Sequence, residues 1–245
     1  MGATAMLLML LRKMQRLMLA ALILLNLPEL IAVAQPQSVH AARACPNLLV
    51  NVAGSSETER NVVCVAAGYA IASLESCAIL QRQPINIELS DVVRSPFGSQ
   101  IFGRLDLQKD LVLLTRFEGV RPLMRDTPYR SFAPAEFYRS MVVHEVVHAI
   151  MNQNYRRRPS TRAAWEYPAY AIQLESLAAQ TRESFLLTRS SSSPVDNVPF
   201  NDIILGFDPY LFAARAYNHL ASSLSRCAKL RDLLGGDPDF IDVIE

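Results

Sequence analysis

The run His144-Glu145-Val146-Val147-His148 has the form H-E-x-x-H. Positions four apart lie on one face of a helix, so both imidazoles can point at one ion. Glu145 sits about 100° round the helix from His144. From there its carboxylate reaches a water on the ion rather than the ion itself. Zinc suits these donors and lowers the pKa of a bound water towards ~7. A carboxylate can then take the water's proton at neutral pH and hand it to a leaving amine. The pattern points to metal-assisted hydrolysis, with Zn2+ as cofactor and Glu145 as general base.

A chance match is the alternative. It arises in on the order of one chain per hundred of this length, so context has to decide. Met141, Val142, Val143, Val146, Val147, Ala149 and Ile150 make the segment apolar nearly all round, as in a buried helix. Two histidines and a glutamate do not belong in such a helix unless they are paired or bind a metal.

A catalytic zinc takes a third protein ligand. Glu166 is the candidate, 18 positions after His148 in Trp165-Glu166-Tyr167-Pro168. The interval leaves room for a loop and a helix packed antiparallel to the first. Pro168 is expected in the first turn of that helix, which puts Glu166 near its start. Glu175 points to a different face and reads as a structural or solvated carboxylate; Glu183 is the next acid beyond it. Charge developing on a carbonyl oxygen needs a donor, and Tyr217 and His219 are catalytic candidates on a later helix, with Tyr170 a third. Beside this stands the plainer reading that the tyrosines pack in the core and His219 is structural. Each ligating imidazole also needs an acceptor for its other nitrogen, and the sequence does not show which group that is.

H-E-x-x-H followed by a glutamate in the next helix resembles the gluzincins, the thermolysin-like and aminopeptidase-like clan of zinc peptidases. The run Glu166 to Gln173 is also similar to small exported bacterial proteins of that clan whose activity is not established. The resemblance spans about residues 85–235, and its specific part is 144–173. It implies a zincin-like fold, with His144, His148 and Glu166 as ligands, Glu145 as base, and a peptide or protein as substrate. It also implies an edge strand that binds extended substrate, at Leu111 to Leu114 or Gln100 to Arg104. No Gly-Ala-Met-Glu-Asn strand is present, so aminopeptidase activity is not supported. The longer H-E-x-x-H-x-x-G-x-x-H motif fails, since Met151 stands at its glycine.

The positioning elements follow from periodicity. Residues 35–47 read as a linker and Leu48 to Val52 as a short strand. Ser56 with Glu59 fits a capping box that opens a helix over about 56–80. Ile85, Ile87 and Leu89 alternate with polar residues as a half-buried strand does. Ser95 to Ser99 reads as a turn, 100–105 and 111–116 as two strands, and 118–133 as a loop. Pro134 opens the H-E-x-x-H helix, which runs to about Gln153. Further helices are expected from about Trp165 to Leu187, from Asp208 to about Ser223, and from Cys227 to Leu234. A polar break starts at Ser190, with a loop to about Gly206. The expected fold is α+β: a small, mainly antiparallel sheet on the H-E-x-x-H helix, with a helical C-terminal part, in one domain over 48–245.

Composition sets the setting. The 245 residues carry a formal net charge of +1, and 19% are charged. That gives none of the basic field a nucleic-acid partner would favour. Arg12, Lys13 and Arg16 precede an apolar run from Leu17 to Leu25, and Ala32-Val33-Ala34 offers small residues for cleavage. Residues 1–34 therefore read as a signal peptide, with Met14 an alternative start and an uncleaved anchor the alternative fate. No stable membrane span is expected after cleavage, since the run is short of the roughly 20 apolar residues required. Cys45, Cys64, Cys77 and Cys227 suggest two disulfides in an exported chain, periplasmic or secreted. Three pairings are possible; Cys45–Cys64 with Cys77–Cys227 is preferred, because it ties down the N-terminal segment and staples the last helix to the first. Two other functional readings remain: a non-catalytic protein of the same fold that binds a partner, and a disulfide-stabilised helical protein with an accidental motif.

Overall fold

A computed structural model of the chain describes residues 41–189 and 200–236. The expected signal peptide, residues 35–40 of the expected linker and the break at Ser190 to Pro194 lie outside them. The strands are β1 (Arg43–Ala44), β2 (Val50–Ala53), β3 (Ile85–Ser90), β4 (Val93–Arg94), β5 (Gln100–Ile101), β6 (Gly103–Asp106) and β7 (Leu111–Thr115). The helices are α1 (Glu57–Glu75), α2 (Phe117–Met124), α3 (Pro134–Asn154), α4 (Arg162–Glu175), α5 (Ala179–Arg189), α6 (Asp202–Phe207), α7 (Pro209–Ala221) and α8 (Arg226–Gly235). Among the described residues no helix is long and apolar enough to cross a membrane.

The fold is α+β, but its main sheet is mixed rather than mainly antiparallel. Five strands run in the order β1-β2-β3-β7-β6, and β4-β5 forms a separate antiparallel pair. β2 with β3 and β3 with β7 are parallel, while β1 and β6 add antiparallel edges. Alternation misled here for a physical reason. Ile85, Ile87 and Leu89 are buried while Asn86 and Glu88 are exposed, a one-sided pattern usual for antiparallel sheets. The parallel pairing of β2 and β3 comes instead from their link through α1, a crossover connection.

α1 begins as its sequence dictates. The Ser56 side chain accepts from the Glu59 amide, and Glu59 reaches back to the Ser56 amide. The same Glu59 also accepts from the Phe117 amide at the start of α2, so one carboxylate ties two helix starts together. The helix ends at Glu75, short of the expected 80. α1 and α3 pack on each other and bury the apolar side of the sheet, with Val63, Ala67, Leu74, Val112, Val142, Val146 and Ile150 all at or near zero exposure.

Four further expectations are corrected. Segment 41–47 is not a plain linker, because β1 pairs with β2 and Cys45 is buried in a disulfide. Segment 118–133 is not a loop, because it holds α2 and a 3-10 turn at Pro128–Ser131, with Pro122 inside α2. The helix expected from Trp165 to Leu187 is two helices. Ser176 caps the first, its hydroxyl donating to the Gln173 carbonyl, and Glu136 takes the Ala178 amide at the turn. The loop expected to reach Gly206 instead includes α6, capped by the Asn201 side chain.

The disulfides are Cys45–Cys64 and Cys77–Cys227, as preferred from the sequence. The second fastens α8 to the end of α1. Beside it Arg226 makes a two-pronged pair with Glu175 on α4 and donates to Ser73 on α1. Two disulfides belong to an oxidising compartment.

Candidate metal centre

α3 carries the histidines in its buried middle. Pro134 opens it, at a position where a missing N–H costs nothing, and residues 142–151 are all buried. α4 starts earlier than expected: Thr161 caps it by accepting from the Ala164 amide, so Pro168 lies inside the helix, beyond the first turn. Glu166 consequently sits more than a turn into α4.

The two helices pack antiparallel through matched stripes. Ser140, His144 and His148 recur every four residues on α3. Glu166, Tyr170 and Gln173 recur at i, i+4 and i+7 on α4, the spacing of one helix face. Glu166 meets both histidines, Tyr170 stands edge-on to the His144 ring at 4.7 Å, and Gln173 meets His144 and Ser140. Trp165, beside Glu166, stacks on His148 with ring centres 5.2 Å apart and planes 11° off parallel.

Three donor atoms converge. Nε2 of His144 lies 3.1 Å from Nε2 of His148 and 3.2 Å from Oε2 of Glu166, and the remaining side is 3.5 Å. One point lies about 1.9 Å from all three atoms, close to the ~2.0–2.1 Å of zinc bonds to nitrogen and carboxylate oxygen. A tetrahedron with such bonds has edges of about 3.3–3.4 Å, so the triangle matches one of its faces. The donor chemistry fits as well. Two imidazole nitrogens and a carboxylate oxygen face one another, and with both nitrogens deprotonated a cation between them would satisfy all three at once. Among the described residues, these are the side chains grouped so that they could hold a metal.

The electrostatics are those of a crowded, buried site. His144, Glu145 and His148 are 5%, 4% and 4% exposed. Burial pulls the His144 imidazole down, but Glu166, Glu145 and Gln173 outweigh it and leave its pKa above the ordinary value. Burial pushes Glu166 up, yet the two histidines hold it well below the usual carboxylate range. Burial raises Glu145, against the pull of His144 and His148.

Glu145 lies on the flank of this cluster. Its Oε2 is buried with no hydrogen-bond partner. Edge strand β6 closes that side. A side chain at Gly103 would meet Glu145 Cγ at 3.0 Å, Leu114 Cδ2 at 2.8 Å and the Leu113 carbonyl oxygen at 3.0 Å. Glycine is thus what lets the strand pass this close.

The other candidates go elsewhere. Both ring nitrogens of His219 face other groups, Nδ1 the Tyr167 hydroxyl at 2.8 Å and Nε2 the Lys229 ammonium. Tyr217 lies under the Arg182 guanidinium, 5.3 Å from its ring centre. Glu175 is structural, paired with Arg226, and Glu183 is exposed. Of the three donor candidates, Tyr170 is the one whose ring packs against a histidine of the cluster. Burial, then the charge of Glu166, raises its pKa well above the ordinary tyrosine value, so it stays a neutral donor. Of the two runs considered for substrate, 111–114 lies in the interior strand β7, while 100–104 covers β5 of the separate pair and the start of the edge strand β6.

Sequence reasoning gave Gln173, Gly103 and the Trp165 stack no role. The signal for Gln173 was present: seven residues after Glu166 is two turns, hence the same face. Nothing in the sequence places Gly103 against Glu145, since that contact joins a strand to a helix some 40 residues later.

No curated protein and no solved structure matches the chain. A family profile matches residues 50–242, which include every element that builds the centre. The chain therefore belongs to the family described as a family of unknown function, DUF6639.

Proposed function

We propose that this protein is a zinc-dependent peptide hydrolase of the gluzincin type, with a zincin-like arrangement of sheet and helices. The observation that carries the reading is the convergence of His144, His148 and Glu166 within 3.5 Å of one another, with Glu145 beside them. His144, His148 and Glu166 would hold the zinc, which when bound supplies Lewis acidity for a water and a substrate carbonyl. Glu145 takes the proton of the attacking water. It then passes that proton to the leaving amine. The Tyr170 hydroxyl donates to the carbonyl oxygen as negative charge gathers there. Burial keeps bulk water from weakening these interactions.

The proposed setting is the periplasm or the exterior, after cleavage of the signal peptide behind Ala34. The disulfides support an oxidising compartment. The substrate is a peptide or protein, and the even charge balance gives no support for a nucleic acid.

A second reading has its own support. The near-complete burial of His144, Glu145 and His148 favours a member of the fold that holds metal and binds a partner without catalysis. A peptide-library cleavage assay separates the two. The hydrolase reading predicts turnover by zinc-loaded wild type and loss of it in Glu145→Gln, which should keep its zinc. No cleavage by wild type across a broad library favours the second reading.

A further inference from the structure

We propose that Gln173 is a positioning residue, which sets His144 in the tautomer that can bind a metal and does so without adding charge. This rests on the metal reading above. Gln173 is 1% exposed, and its Oε1 lies 2.9 Å from Nδ1 of His144. Its Nε2 faces the Ser140 hydroxyl at 3.4 Å and the Met141 sulfur at 3.1 Å.

The direction of each bond follows from Ser140. That hydroxyl has one hydrogen, and it donates it to the Phe137 carbonyl at 2.8 Å. Towards Gln173 its oxygen can only accept. The amide NH2 of Gln173 must therefore face Ser140, which turns the amide oxygen to His144. An amide oxygen only accepts, so Nδ1 of His144 carries the hydrogen. A neutral imidazole with hydrogen on Nδ1 has a bare Nε2. Nε2 is the atom 3.1–3.2 Å from His148 Nε2 and Glu166 Oε2. The local chain of bonds thus runs from a backbone carbonyl on α3, through Ser140 and Gln173, to the lone pair at the centre.

Ligating histidines usually donate to a carboxylate, a backbone carbonyl or water. A carboxylate would orient the ring and also add a negative charge. An amide does only the first. The site is therefore tuned to hold its ion less tightly than the same geometry with a glutamate, and to leave more of the ion's charge for polarising a ligand.

The test uses the full mature chain with two independent readouts. Nitrogen-15 spectra of histidine-labelled, metal-free protein at alkaline pH should show His144 protonated on Nδ1 in wild type, with that preference lost in Gln173→Leu. Zn2+ titration should show Gln173→Leu binding about 10- to 100-fold more weakly, and Gln173→Glu at least as tightly as wild type. Thermal unfolding of the metal-free variants separates lost affinity from lost fold. If Gln173→Leu does not fold, Gln173→Glu decides, because it keeps the acceptor. His144 protonated on Nε2 in wild type, unchanged affinity in Gln173→Leu, or weakened affinity in Gln173→Glu overturns the proposal. Wild type that binds no Zn2+ defeats the metal reading instead, and the spectra still decide the tautomer.

Discussion

In the proposed mechanism Glu145 carries the proton and Tyr170 faces the developing charge. Tyr170 stands against His144 and is influenced by both Glu166 and Glu145, whereas Tyr217 and His219 are engaged elsewhere. Tyr170→Phe should keep zinc and lower kcat by about 10²- to 10³-fold, the cost of removing one donor to a developing oxyanion. Tyr217→Phe should leave kcat nearly unchanged. Steady-state rates on one cleaved peptide check both, and the reverse order would restore the sequence-based choice. At this scale the convergence of His144, His148 and Glu166 was legible, because helical spacing alone puts i and i+4 together and leaves one acid well placed on the next helix. The choice among phenols was not. Which tyrosine reaches the centre depends on how far α4 and α7 rotate against α3, and no local pattern encodes that.

At the scale of elements, the α3–α4 pair is the frame of the site and β6 its wall. The chain's one tryptophan, Trp165, stacks on His148 and in turn on Tyr155. Its emission should therefore report the state of His148. Adding Co2+ to metal-free protein should quench it with a saturable, one-site curve, and His148→Ala should abolish that response. A curve unchanged in His148→Ala would mean the metal sits elsewhere. Gly103→Val should overpack the β6–α3 contact, costing about 1–3 kcal/mol, which a denaturant titration reads. It should also lower turnover by displacing Glu145. The capping box, α1, β3, the Ser95–Ser99 turn and α3 were readable because each rests on short-range chemistry. The parallel order of β2, β3 and β7 was not, because the solvated face of this sheet carries polar residues such as Asn86 and Glu88. Nor was the break between α4 and α5, which depends on Glu136, some 40 residues away, accepting the Ala178 amide.

At the scale of the whole molecule, α8 is held across α1 and α4 by Cys77–Cys227 and by Arg226 with Glu175 and Ser73. The disulfide closes a loop with a sequence separation of 150. Replacing both cysteines with serine should lower stability by about 2–5 kcal/mol, seen as a lower denaturant midpoint. Because α8 is fastened to the α4 face that also carries Glu175, zinc affinity should fall far less than stability. The proposed peptidase activity and the proposed role of Gln173 both depend on one claim, that the side chains of α3 and α4 close around a divalent ion. The most direct measurement is metal content and Zn2+ affinity of the purified mature chain, wild type against His144→Ala, His148→Ala and Glu166→Ala, with folding verified by circular dichroism. One tightly held zinc per chain in wild type, lost in both histidine variants and weakened in Glu166→Ala, is the predicted result. A folded wild-type chain that takes up no zinc from a stoichiometric supply, or variants that bind it as well as wild type, would contradict it.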